Sequence, residues 1–143
     1  MQVEKILGFD YGTKYIGVAS GQTLTKTATP ICSIRATSGT TNWPEIAKLI
    51  NNWQPDKIVV GLPLNMDGTK QVITIKCEKF GKEIEKRFNI PVFFTDERLS
   101  TWEAKQTLSS NTRDNNKLKK KDFSDLNALA AKILLEQWLQ QNH

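Results

Sequence analysis

The chain has 143 residues and a net charge of +5, enough length for one compact domain with a sizeable core and a charge balance that permits a polyanionic partner without requiring one. No apolar run approaches the ~20 residues of a bilayer span, and Met1-Gln2-Val3-Glu4-Lys5 lacks the basic-then-apolar layout of a signal peptide, so a cytoplasmic protein without membrane attachment is expected. The single histidine is His143, and Cys32 and Cys77 form no CxxC, which argues against a histidine triad or a zinc site and leaves Asp and Glu oxygens to hold any metal.

Lys5 to Phe9 is an apolar run that reads as a buried strand, closed by Asp10-Tyr11-Gly12-Thr13-Lys14. Tyr15 to Ser20 is its antiparallel hairpin partner, and Thr25 to Arg35 is a third strand that Pro30 places at an edge or a bend. Asn42-Trp43-Pro44-Glu45 opens a helix, with Asn42 as cap and Pro44 in the first turn, and Ile46, Leu49, Ile50 and Trp53 repeat along it. Gln54-Pro55-Asp56 ends that helix. Lys57 to Pro63 then has the look of a strand buried on both faces. Asn65 to Thr69 reads as a turn before a second helix, with Asp67 as its cap, or as a lining of the cleft.

That second helix spans about Gln71 to Phe88, with Ile73, Cys77, Phe80, Ile84 and Phe88 on one face and Cys77 expected in the core. Pro91 to Thr95 reads as another buried strand, ending in Asp96-Glu97-Arg98. Ser100-Thr101-Trp102-Glu103 forms a capping box for a short helix, residues 109–122 read as a polar basic loop, and a last helix runs from about Phe123 to Gln140. The four tryptophans sit at helical positions and are expected to be largely core. Hairpin strands followed by alternating helix and strand predict an α/β fold: a mixed central sheet with helices on both faces, in a single domain over residues 1–143.

In such sheets ligands gather beyond the carboxyl ends of the strands. Asp10 follows the first strand and Asp96-Glu97 the last, and if those strands are neighbours the acids meet at one edge. Converging carboxylates repel unless cations lie between them, and hard oxygen ligands favour Mg2+ or Mn2+. Two such ions ~4 Å apart activate a water and stabilise the leaving oxygen of a phosphodiester. The plainer alternatives are a turn aspartate at Asp10 and an ion pair between Glu97 and Arg98 or a surface lysine. Gly12 makes the turn or lets the backbone approach a phosphate. Thr13, Lys14 and Arg98 are candidate phosphate contacts, as is the basic run containing Lys119 and Lys120, which would help to hold a polyanion.

The segments LGFDYGTKYIGVA, IVVGLPLNMDGT, FFTDERLST and ALAAKILLEQWL, in that order, resemble the YqgF family. The resemblance covers nearly the whole chain. It implies a ribonuclease H-like fold and a bacterial cytoplasmic, divalent-metal-dependent nuclease that trims the 5′ end of pre-16S rRNA during ribosome assembly. These proteins were earlier described as Holliday junction resolvases. Asp10 and Glu97 match the family's first two acids.

The third acid departs from the pattern: the family's aspartate falls on Asn127, four residues before Ala131. Asn127 shares a helix face with Ala130, Ala131, Leu134 and Trp138, which should lie on the sheet. Asp125 is a possible substitute, but it shares a face with Lys132 and Glu136 that is expected to be solvated, and it reaches the site only if the helix starts after it. Asp96 is a secondary candidate. An asparagine offers a carbonyl oxygen without charge, so weaker metal binding is expected. Three other readings compete with an RNA nuclease. The same site can act on a branched DNA junction, the FDYGT turn is similar to the phosphate loop of actin-like ATPases, and the basic surface suits a non-catalytic rRNA-binding assembly factor.

Overall fold

The computed structural model describes residues 3–97 and 122–142, with the side chains of the last helix described over 126–141. Arg98, the Ser100 capping box, Trp102, Lys119, Lys120 and the expected basic loop up to residue 121 lie outside the described residues. The elements run β1 (Lys5–Asp10), β2 (Tyr15–Gln22), β3 (Thr27–Arg35), α1 (Trp43–Trp53), β4 (Lys57–Leu62), α2 (Val72–Phe88), β5 (Val92–Asp96) and α3 (Asp122–Asn142).

The five strands form one sheet in the order β3-β2-β1-β4-β5. β1, β2 and β3 pair antiparallel, while β4 and β5 run parallel to β1. Pro30 is accommodated as expected: β3 is an edge strand, and its register slips opposite Val18 and Ala19, with Cys32 and Pro30 as their partners. A proline at that irregular edge costs no ladder hydrogen bond.

Strand alternation divides the core between two faces. On one face Leu7, Phe9, Val18, Ile58 and Val60 pack with Ile46 and Ile50 of α1 and with Cys77, Phe80 and Ile84 of α2. On the other, Ile6, Ala19, Ala28 and Val59 pack with Ala131, Leu134, Leu135, Trp138 and Leu139 of α3. Helices therefore cover both faces of the mixed sheet, as the element order predicts.

Local signals explain the helix ends. Asn42 Oδ1 accepts the Glu45 N–H at 3.4 Å, and Gln54 ends α1 in a left-handed conformation with its N–H on the Ile50 carbonyl. At α2 the expected cap is displaced. Asp67 accepts the N–H and hydroxyl of Thr69, closing its own turn, while the Gln71 N–H donates to Thr74 Oγ1 at 3.0 Å. The Asp67 carboxylate is four residues short of the cap position, so it satisfies the nearer donors.

Two expectations need correction. The segment at Pro91–Thr95 is not a strand buried on both faces: β5 is an edge strand, Phe93 is exposed, and Thr95 is its buried residue. Its apolar composition reflects packing of Phe94 and Val92 against the α1/α2 face and of Phe93 against Trp138. The α3 face carrying Glu136 is also less solvated than its composition suggests, because Glu136 Oε2 accepts the Ala28 N–H of edge strand β3 at 2.9 Å. An unpaired edge N–H is a strong donor that draws the carboxylate inward.

Candidate active site

β1 and β4 both deliver their carboxyl ends to the same rim as β5, where Phe9 is level with Val60 and Leu62 with Asp96. Asp10 closes β1, and Glu97 follows directly on β5. The two strands are not neighbours, contrary to the premise that would bring their acids together; β4 lies between them. The gap is bridged over Gly61. A methyl group there would overlap the Glu97 carboxylate, so the absence of a side chain on β4 lets Glu97 cross toward Asp10. The sequence signal was present in Val59-Val60-Gly61-Leu62, a glycine inside an otherwise apolar strand.

The two acids are hydrogen-bonded to each other. Glu97 is buried, 7% exposed, and Asp10 is partly buried. Burial raises the Glu97 carboxyl first, then the charge of Asp10, the hydrogen bond to Asp10 and the charge of Asp96; together they push it up to about 9. Burial also raises Asp10, while the hydrogen bond from Glu97 pulls it back down. Both carboxyls are thus held above their ordinary values, and the coupled pair favours sharing a proton over ionising twice.

Asp96 is exposed at the end of β5, and its charge is felt at Glu97. Thr13 and Lys14 are exposed on the β1–β2 turn, and Gly12 sits there against the Tyr15 carbonyl, which a methyl group would approach to 2.6 Å. Asn127 reaches the region through its backbone. Gly17 pairs with Asp10 across the hairpin, and a methyl group on Gly17 would overlap the Asn127 carbonyl, so the glycine allows α3 to close directly onto the strand beside Asp10. The helix already includes Asp125, two residues earlier in a continuous run from Asp122.

Cys77 packs beneath the acids. Its thiol is pushed up to about 12 by burial, then by the charges of Glu97, Asp10 and Glu78, which keeps it protonated and removes it as a nucleophile. Thr74, fully buried on the same helix, donates its hydroxyl to the Pro63 carbonyl and so ties the segment after β4 to α2. Neither residue was singled out for the site from sequence, because each reads there as an ordinary core position of α2.

Among the described residues no three Asp, Glu, His or Cys side chains converge closely enough to enclose an ion. What is present is a pair of hard oxygen donors, one of them buried, sharing a proton where a positive charge would relieve their repulsion. That donor set fits one divalent cation whose remaining positions stay open.

The sequence matches the family described as "RuvX: Holliday junction resolvase" over residues 4–141. The chain belongs to the RuvX family. A protein of Aeromonas salmonicida named "Putative pre-16S rRNA nuclease" is 46% identical over 143 residues, covering 100% of this chain and 99% of that one. A relative of the same name from Shewanella oneidensis is 55% identical over 108 residues, 76% of this chain and 77% of that one. Among solved structures, T. thermophilus RuvC in complex with a Holliday junction substrate superposes with a TM-score of 0.59 at 12% identity, covering 96% and 94% of the two chains. The fowlpox virus resolvase with its junction DNA gives 0.55 at 16% identity, covering 96% and 97%. These two likenesses establish the ribonuclease H-like fold of this RuvX-family chain.

Proposed function

We propose that this RuvX-family chain is a divalent-metal-dependent nuclease, one domain acting in the cytoplasm, that hydrolyses phosphodiester bonds during 5′-end processing of pre-16S rRNA. The observation that carries the reading is the meeting of the buried Glu97 with the partly buried Asp10 at the carboxyl rim of the parallel strands. Two carboxylates sharing a proton in that position cost stability, and a fold keeps such a cost where the charge is used. The names of close relatives over the full chain length support the RNA substrate.

Asp10 and Glu97 would hold Mg2+ or Mn2+, which supplies a polarised water and stabilisation of the leaving oxygen. The protein's part is then definite. A cation taken up by the pair would displace the proton the two carboxyls share, so its binding would strengthen with pH. Gly61 and β4 fix the separation of the two acids. Thr13 and Lys14, exposed on the turn after Asp10, would orient a substrate phosphate, and Arg98, Lys119 and Lys120 would add charge from the segment after β5. Asn127 adds a neutral amide on the α3 side; its carbonyl oxygen is a weaker ligand than the acid it replaces in the family pattern. Asp96 is the secondary acid of the set, and Asp125 is disfavoured as a substitute because the helix has already begun before it.

A second substrate, a branched DNA junction, is favoured by the description of the RuvX family itself. The protein and its Asp10→Asn variant are to be incubated with a precursor 16S 5′ fragment and with a four-way DNA junction, each with and without Mn2+. Metal-dependent cleavage of the RNA that Asp10→Asn abolishes is the expected result. Cleavage confined to the junction would transfer the activity to DNA, and cleavage of neither substrate would leave a non-catalytic rRNA-binding factor.

A further inference from the structure

A cleft of about 530 Å³ opens from the Tyr11-Gly12-Thr13 turn, immediately after Asp10, and runs along α2. Its α2 wall is Lys76, Lys79, Phe80, Glu83 and Arg87, a single helical face, and the start of α1 supplies Trp43 opposite. From Lys76 to Arg87 that face extends roughly 16 Å away from the acid pair at 1.5 Å per residue.

The cleft has a built aromatic floor. Trp43 stacks on Phe80 with ring centroids 5.7 Å apart and 27° between planes, and Tyr11 lies 4.9 Å from Phe80. The Arg87 guanidinium sits over Trp43 at 4.3 Å, and its Nε donates to Glu83 at 2.7 Å. Arg87 is therefore held from two sides with one of its five N–H donors in use by Glu83. The one acid of the cleft wall is spent on that contact. Lys76 and Lys79 are exposed and make no ion pair among the described residues. The wall is thus net positive, floored by rings, and continuous with the turn beside Asp10.

We infer that this cleft binds the single nucleic-acid strand flanking the scissile phosphate, with Lys76, Lys79 and Arg87 on its phosphates. The inference rests on the nuclease reading for the identity of the strand, while the cleft itself is defined by charge and shape. Its volume suits a nucleotide or two rather than a double helix. Cationic side chains above an aromatic floor are the usual composition of a groove that tracks single strands. The α2 lysines were not singled out from sequence because they alternate with acids along a helix that reads as ordinary surface.

The test measures binding without cleavage. In an Asp10→Asn background and without metal, a short labelled single-stranded RNA is titrated by fluorescence anisotropy over a range of salt. The Lys76→Ala/Lys79→Ala double variant should lose roughly tenfold in affinity and about 1.4 in the slope of log K against log salt, about 0.7 for each phosphate contact removed. A Lys48→Ala/Lys82→Ala variant removes the same charge from exposed positions outside the cleft and should keep the parental slope. Equal losses in both variants, or no binding by the parent, would overturn the assignment. So would an equal response with a double-stranded RNA of the same sequence. Cleavage assays on the unsubstituted protein fail or succeed independently, so loss of the nuclease reading and loss of the cleft are distinguishable.

Discussion

The two ends of the sheet treat acidic side chains in opposite ways. Where β4 begins, Lys57 reaches Glu4 at 2.9 Å, and Asp56 accepts the Lys5 N–H at 2.8 Å while its own N–H donates to the Lys5 carbonyl at 2.7 Å. Each acid there has a donor. Where β4 ends, Asp10 faces Glu97, whose carboxyl is raised by burial and then by the charge of Asp10, while burial raises Asp10 itself. Pairing acids with donors at one end secures the strands, while pairing acid with acid at the other gives up stability, which the proposed metal site would recover on taking up a cation. The contrast predicts that substitutions at the two ends differ in the sign of their effects as well as in their size.

Glu97→Gln should break the contrast most visibly. Substituting groups that merely support metal ligands typically costs 10–100-fold in activity, so loss of a ligand itself should lower metal-dependent cleavage by at least about 100-fold. The same substitution should stabilise the protein in the absence of metal. Glu97 is protonated in the fold up to about 9 against an ordinary 4.5, so the folded state binds more protons than the unfolded one between those values. Stability is therefore fully present below about 4.5, falls as pH rises through the window, and is lost beyond about 9. A neutral amide removes that loss. A gain of about 1–3 kcal/mol, or roughly 3–10 °C in Tm, is expected near pH ~8 and little change near pH ~4. Thermal melts of both proteins across pH check the sign, and added Mn2+ should flatten the pH dependence of the unsubstituted protein alone.

Gly61→Ala sharpens the comparison by leaving both acids in place. The new methyl group overlaps Glu97 and displaces its carboxylate from Asp10. Misplacing a reacting group by about 1 Å costs on the order of 100-fold, so a loss of roughly 10–100-fold in cleavage is expected. Stability should change by less than about 1 kcal/mol, because alanine suits a strand better than glycine. Steady-state cleavage assays and thermal melts on the same preparation separate the two effects.

Much of this architecture was legible in the sequence. The unbroken apolar runs Lys5–Phe9 and Lys57–Pro63 marked strands covered on both faces, and Asn42 with Pro44 marked the start of α1. The resemblance supplied the family and the fold name. Strand order was not legible, because a period of two reports which side chains are covered and says nothing about which strand is next door. β4 was therefore not anticipated between β1 and β5, and the role of Gly61 followed only from that placement. Phe93 misled for a related reason: an edge strand resting on Trp138 has the same apolar letters as a central one. Asn127 was placed against the sheet by its helix face alone; the structure adds the close approach of its backbone carbonyl to Gly17, which no sequence pattern announced.

If Asn127 fills the third position of the proposed site, Asn127→Asp brings a further carboxylate to the Asp10–Glu97 pair, and its two effects should again have opposite signs. Without metal the variant should melt lower, by about 1 kcal/mol or more, through added like charge. With Mn2+ it should bind the ion more tightly and cleave several-fold faster, because a charged oxygen replaces a neutral one. Melting curves with and without Mn2+ and a metal titration of cleavage provide both readings. A variant that is no better at cleavage and no more responsive to Mn2+ would remove Asn127 from the site.

Glu4→Gln, at the other end of the sheet, sets the lower limit of the comparison. Glu4 and Lys57 are both partly exposed, and ion pairs of that kind contribute about 0–1 kcal/mol. Lys57 retains its place over the Phe93 ring at 5.6 Å, which further softens the loss. Tm should fall by no more than roughly 4 °C, and the fall should shrink in high salt. Cleavage should be unchanged, since Glu4 and Lys57 lie at the opposite end of the sheet from the Asp10–Glu97 pair. A Glu4→Gln variant with reduced cleavage at full stability would mean that strain travels the length of β4, and the two ends of the sheet would then have to be treated as one device.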